Sequence, residues 1–171
     1  GEDKMKDIIH VRKAKKEDLQ ELLAIYNYEV DHGVATLDLN RKTMEEWQQW
    51  FQVHSGEHHP LFVAELKGKV AGYASLSSYR EKEAYQSTVE LSVYVDAACR
   101  GQGIATALMD QILLFARKDP AIHLVVSVIT SGNESSVHLH EKYGFRFCGV
   151  IHEVGWKMGR YLDIENYELV V

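Results

Sequence analysis

A chain of 171 residues, 46% apolar and 26% charged, can bury one sizeable core and gives no cause to divide it, so residues 1–171 are read as a single domain. The formal net charge of -6 excludes a general nucleic-acid binder, because phosphate backbones are held by clustered Lys and Arg. No apolar run approaches a membrane span, the start is polar and mixed in charge unlike a signal peptide, and Cys99 and Cys148 form no CxxC pair, so a cytoplasmic protein with reduced thiols is expected. Residues 1–4 read as a cloning remnant ahead of a native start at Met5.

The first unit is β then α. Ile9 and Val11, flanked by Ile8, His10 and Arg12, make a short strand, and a helix opened by Lys16, Glu17 and Asp18 carries Leu19, Leu22, Leu23 and Tyr26 on one face. Residues 26–39 show no clear period and contain Gly33, which reads as a surface loop of the kind that often faces ligands. Thr43 with Glu46 three residues on forms a capping box for a helix over 44–53, whose Trp47, Trp50 and Phe51 read as core. Residues 61–66 and 70–76 are strands joined by a hairpin turn at Lys67, Gly68 and Lys69. Residues 77–86 form a polar connection.

Residues 87–106 are the stretch around which the chain is organised. Val89, Leu91, Val93 and Val95 alternate with Thr88, Glu90, Ser92 and Tyr94, the period of a strand with two different faces. The strand breaks into Arg100, Gly101, Gln102 and Gly103, and a helical pattern begins at Ile104 without a gap. A strand feeding a glycine turn and a helix N-terminus is either an anion site, built from free N–H groups and the helix dipole, or an ordinary tight turn. Asp119 and Pro120 stop that helix, 123–129 is a continuous apolar run suited to a central strand, and 135–143 is a short helix closed by Gly144. Two late strands, 145–152 and 161–170, are joined through a loop at 155–160. The order β α α β β β α β α β β predicts an α/β class with a mixed sheet.

Separated pieces of this chain together resemble the GCN5-related N-acetyltransferase (GNAT) superfamily. Residues 100–105, Arg-Gly-Gln-Gly-Ile-Ala, match its Q/R-x-x-G-x-G/A signature, and Asn133, Ser136, Leu139, Gly144 and Phe145 match its second motif. Tyr79 and Arg80, Ala84 and Tyr85, residues 88–90, 92–95 and 154–163 extend the likeness to the phosphinothricin and methionine sulfoximine acetyltransferase branch. The resemblance implies a mostly antiparallel central sheet, splayed at its middle strands and flanked by helices. It also implies acetyl transfer from acetyl-CoA to a primary amine, by direct attack in a ternary complex.

In such a fold the pantetheine arm lies in the splay against Val93, Tyr94 and Val95, and residues Gly101, Gln102, Gly103, Ile104, Ala105 and Thr106 hold the pyrophosphate by main-chain N–H groups, with Arg100 adding charge. Asn133 is the position that contacts acetyl-CoA, and it is also placed to cap a helix. An amine near its usual pKa is protonated at neutral pH, so the site needs a proton acceptor, and Glu90 on the polar strand face matches the branch's catalytic glutamate. Its pKa is expected to be raised by burial.

Many members carry a tyrosine where this chain has His140, and Tyr143 lies three residues further on, so the donor to the leaving thiolate is His140, Tyr143 or solvent. Matching branch members use the arginine at the Arg80 position for substrate, with Tyr85, Asn27 and the loop over residues 157–160 as further lining. No metal is expected, since the histidines lack paired carboxylate or cysteine ligands. The branch also implies a homodimer, with the late strands as interface. The leading substrate is a small amino-acid-like amine such as methionine sulfoximine, methionine sulfone or phosphinothricin. A protein N-terminal or lysine acetyltransferase and a non-catalytic CoA-binding module are the alternatives.

Overall fold

The structure is a computed structural model and describes residues 8–54 and 56–171, so the expected remnant at 1–4 and the start at Met5 lie outside the described residues. The elements are β1 (Ile9–Lys13), α1 (Leu19–His32), α2 (Met44–Val53), β2 (Leu61–Leu66), β3 (Lys69–Ser78), β4 (Thr88–Val95), α3 (Ile104–Lys118), β5 (Leu124–Thr130), α4 (Glu134–Lys142), β6 (Arg146–Lys157) and β7 (Arg160–Val170). Their order is the one the sequence pattern predicts. They form one seven-stranded sheet in the order β1-β2-β3-β4-β5-β7-β6, and every pairing is antiparallel except β4 with β5.

Around β2 both faces of the sheet are covered, which is why Leu61, Phe62, Val63 and Ala64 are a continuous apolar run. Phe62, Ala64, Leu76, Val89, Leu91 and Val125 pack on the side of α3, whose Ile104, Leu108, Met109, Ile112 and Leu113 are buried there, with Val137 and Leu139 of α4 against the same cluster. Leu61, Val63 and Tyr73 face the other way, onto Leu19, Leu22 and Ile25 of α1 and Trp47 of α2. Trp47 is therefore core, as its helical spacing suggested. The capping box at the start of α2 also forms: the Thr43 hydroxyl oxygen accepts from the Glu46 N–H at 3.2 Å, and the Glu46 carboxylate accepts from the Thr43 N–H at 3.3 Å.

Two expected loops are regular structure. Residues 26–32 continue α1, and their period is hidden because the buried stripe continues through the polar residues Asn27 and Glu29 before Val30. At the other end, β6 runs on through Gly155, Trp156 and Lys157, which pair with Leu162, Tyr161 and Arg160. The connection shrinks to Met158 and Gly159, at φ 53° and 75°. A glycine in a strand pattern suggests a break; here it comes after a bulge between Ile151 and Gly155.

The feature that positions the site is the shortness of the parallel pairing. β4 and β5 share only three residue pairs, Thr88 with Leu124, Val89 with Val125 and Glu90 with Val126. Beyond Glu90, β4 stays with β3 as far as Val95, whereas β5 stays with β7 as far as Thr130. The sheet opens between them.

Candidate active site

The opening is a groove of about 740 Å³. Val93, Tyr94 and Val95 line one wall, Ser127 to Thr130 of β5 the other, and Arg100, Gly101, Gly103, Ile104, Ala105 and Thr106 close one end, with Asn133 and His140 of the α4 segment opposite. Of the residues expected at the acetyl-CoA site, Gln102 alone does not line the groove; it is exposed on the outside of the turn.

The turn has the backbone its glycines suggested. Gly101 and Gly103 sit at φ 75° and 86°, a left-handed conformation that L side chains rarely adopt. A Cβ on Gly101 would meet nothing within 4 Å, so conformation and not crowding calls for glycine there. Gly103 is the N-cap of α3, and no side chain caps that helix, which leaves first-turn N–H groups and the positive end of the dipole at the groove. An elongated anionic thioester fits these donors: strand backbone along its length and a helix N-terminus at the charged end. Beside the turn the Arg100 guanidinium forms an ion pair with the Glu29 carboxylate. The Asn133 carboxamide oxygen accepts from the Ser136 N–H at 3.3 Å, so it caps α4 while lining the groove.

A second cavity of about 470 Å³ lies on the α1 and α2 face of β4. Tyr26, Trp47, Trp50, Tyr73 and Tyr94 give it aromatic walls, and Glu90, Ser75, Ser77, Asp38, Glu46 and Lys42 its polar groups. Ser92 and Tyr94 line both cavities, so the two spaces meet across one strand. Burial raises the Glu90 carboxyl above the ordinary glutamate pKa, which suits a proton acceptor. Ser77 and Glu90 are cross-strand neighbours, and behind Ser77 stands His54, its Nε2 2.7 Å from the hydroxyl and its Nδ1 2.9 Å from the Trp50 carbonyl oxygen.

Several expected residues are placed elsewhere. Tyr143 does not line the groove: its hydroxyl donates to the Asp110 carboxylate at 2.5 Å, with the Thr106 carbonyl oxygen 3.0 Å away, and so ties α4 to α3. Asn27 lines neither cavity; its side chain is buried and clamps Lys42, donating to the carbonyl at 3.0 Å and accepting from the N–H at 2.8 Å. Arg80 and Tyr85 are exposed and line neither cavity, with the Arg80 guanidinium 5.0 Å from the centre of the Tyr79 ring. Lys157 is buried and donates to the Thr36 carbonyl at 2.8 Å, whereas Arg160 reaches the groove.

His140 faces the groove and is buried, which lowers its pKa. Its Nδ1 lies 2.7 Å from the Ser136 carbonyl oxygen, which can only accept, so Nδ1 carries the proton. Nε2, 2.9 Å from the Ser127 hydroxyl, is then the acceptor of that bond. Sequence reasoning misses Ser127 because it sits in an apolar run, although a lone serine inside a central strand is the available signal. It also misses Lys42, Asp38, Ser75 and Ser77, which come together only when α1, α2 and β3 pack. Among the described residues no group of three His, Cys, Asp or Glu side chains could hold a metal ion.

The chain is similar to known acetyltransferases. The chain is 36% identical over 160 residues to an L-methionine sulfoximine/L-methionine sulfone acetyltransferase of Pseudomonas paraeruginosa, covering 93% of this chain and 92% of that protein. It is 35% identical over 164 residues to a phosphinothricin N-acetyltransferase of Streptomyces coelicolor, covering 94% and 95%. A crystal structure of a GNAT superfamily phosphinothricin acetyltransferase from Sinorhizobium meliloti, in complex with acetyl-CoA, superposes with a TM-score of 0.89 at 31% identity, covering 95% of this chain and 88% of that one. Residues 11–165 match the acetyltransferase (GNAT) domain, and the chain belongs to that family of acetyl-CoA-dependent N-acetyltransferases.

Proposed function

We propose that this protein transfers the acetyl group of acetyl-CoA to the primary amine of a small amino-acid-like substrate of the methionine sulfoximine, methionine sulfone or phosphinothricin type. The observation that carries the reading is the meeting of two cavities at Ser92 and Tyr94, one suited to an anionic thioester and the other holding a buried carboxylate at Glu90. In this reading the pyrophosphate takes the N–H groups of the glycine turn and of Ile104, Ala105 and Thr106, and pantetheine runs along Val93 and Val95. Arg100 supplies charge beside the phosphates and Asn133 a polar contact.

Glu90 takes a proton from the ammonium, directly or through one water, and the free amine attacks the thioester carbon. The C–N bond forms, the nitrogen releases its second proton to solvent, and the C–S bond breaks with its electron pair going to sulfur. Among the described residues Lys42 is the one cation lining the second cavity and is the group to meet a substrate carboxylate, with Nζ 3.8 Å from Asp38 and 3.9 Å from Glu46. Arg80 lies only two residues beyond Ser78, the end of β3, and keeps a substrate role only by swinging from Tyr79.

Support for a homodimer comes from one hairpin: Phe147, Ile151, Val154, Trp156, Met158 and Tyr161 are large, apolar and exposed on β6, β7 and their turn. Trp156 and Tyr161 stack edge to face at 4.8 Å. Two free cysteines and the absence of a membrane-crossing helix among the described residues suit a cytoplasmic setting. The function is tested by incubating the purified protein with acetyl-CoA and a panel of amino-acid analogues while monitoring thiol release and product mass. Binding of acetyl-CoA without thiol release for any small amine would reject the reading; sedimentation settles the dimer.

A further inference from the structure

The acetyl transfer proposed above leaves one charge without an assigned partner, the sulfur of the departing CoA. The apex of the splay locates the groups around it. The last β4–β5 pair is Glu90 with Val126, and the next residue of β5 is Ser127. Glu90 faces α1 and α2, whereas Ser127 shares a strand face with Val125 and Ile129, which pack on the opposite side with α3. A thioester at the apex thus has the proton acceptor on one face of the sheet and a serine hydroxyl on the other.

That hydroxyl is held in a particular state. Ser127 is 1% exposed and His140 4%, yet both line the groove. The proton on His140 Nδ1 is fixed by the Ser136 carbonyl, so Nε2 has only a lone pair to offer and takes the serine proton. Neutral His140 in this tautomer has no proton to give toward the groove. The rings of Phe145 and Tyr167, with centroids 4.9 and 6.4 Å from that of His140, enclose it on the side away from the groove. Tyr143 is spent on Asp110.

We propose that the Ser127 hydroxyl is the group that stabilises the thiolate of departing CoA, and that His140 Nε2 is the acceptor its proton rests on until then. While the thioester is intact, the hydroxyl donates to Nε2. As the C–S electron pair collects on sulfur, the hydroxyl turns to the anion, because a hydrogen bond to a charged acceptor is the stronger one. No proton need cross; solvent protonates the thiolate after release. The same device recurs across the sheet, where His54 takes the hydroxyl proton of Ser77 while its own Nδ1 is bonded to a carbonyl four residues back.

This inference rests on the acetyl-CoA reading, and its test is separable from it. Calorimetry and wild-type turnover check the parent reading. The inference is read from the thiol pKa of CoA bound without amine, measured by the ultraviolet absorbance of the thiolate. Ser127→Ala is expected to raise that pKa by about one unit or more and to lower kcat about tenfold, with unchanged acetyl-CoA affinity. His140→Phe is expected to leave the bound thiol pKa at or below the wild-type value, since the hydroxyl stays and loses only its competing acceptor. Should Ser127→Ala fold poorly because it strands Nε2, the double variant Ser127→Ala/His140→Phe removes both polar partners and must show the same raised pKa. An unchanged thiol pKa in the variants lacking Ser127, or a raised one in His140→Phe alone, overturns the proposal.

Discussion

The guanidinium of Arg100, in the glycine turn, is ion-paired with the carboxylate of Glu29 on α1, and the two partners are 58% and 9% exposed. An exposed cation thus neutralises a buried anion at the wall of the groove. Removing the cation strands the anion. Arg100→Ala is expected to cost about 1–3 kcal/mol of stability through the unpaired carboxylate, seen as a Tm lower by about 2–4 °C per kcal/mol. It should also raise KM for acetyl-CoA. A double change with Glu29→Gln should recover most of the Tm and none of the KM, as checked by thermal unfolding and steady-state kinetics.

Glu90→Gln is expected to lower kcat by about 10²–10⁴ fold while acetyl-CoA affinity by calorimetry stays within about twofold. A base works when deprotonated, so wild-type activity falls as pH drops through the Glu90 pKa, which burial has raised. The acidic limb of kcat/KM should therefore lie above the ordinary glutamate range and disappear in the variant.

The same burial has a sign for stability. A glutamate whose folded pKa is raised stabilises the fold in its protonated form, below its unfolded pKa, and that contribution is lost as pH rises through the folded pKa. Glu90→Gln should therefore raise Tm at neutral pH, and the gain should fade toward acid. Calorimetric scans across that range provide the check.

Gly103→Val puts a β-branched side chain at φ 86°, a strain of about 1–3 kcal/mol, at the mouth of an uncapped helix. Acetyl-CoA binding should weaken at least tenfold by titration, whereas binding equal to wild type would remove the pyrophosphate from this turn.

Asn27→Ala releases both bonds to Lys42 and leaves part-buried main-chain groups without their partner, at a cost of about 1 kcal/mol. Because Lys42 lines the second cavity, KM for the amine should rise and KM for acetyl-CoA should hold. Thermal unfolding and two-substrate kinetics separate the effects.

Where local pattern and fold agree, the chain is legible: the Thr43 box, the period-two strand before Arg100 and the glycines of the turn each state their geometry within a few residues. The Glu90 face can be read from alternation alone. The parts that resist reading are made by long-range packing. Asn27 and Glu29 look like the polar residues of a loop because burial, which turns them into parts of a helix stripe, arrives only with Lys42 and Arg100. Arg80 and Tyr85 stand out as charge and aromaticity in a polar stretch, but they lie in the open while Lys42 occupies the cavity. Ser127 is hidden by its apolar neighbours, and its partner lies thirteen residues away on a different element.

With only three residue pairs between β4 and β5, the sheet is two panels sharing a short hinge seam. A backbone-bonded guest along residues 91–95 would act as a strut between the panels, and its binding energy would appear as mechanical coupling across the whole protein. At a hundredfold excess over Kd such a guest stabilises the folded protein against unfolding by about 2.7 kcal/mol. Amide hydrogens on both sides of the seam should then exchange more slowly together, so that the enzyme is stiffest when it is loaded for reaction.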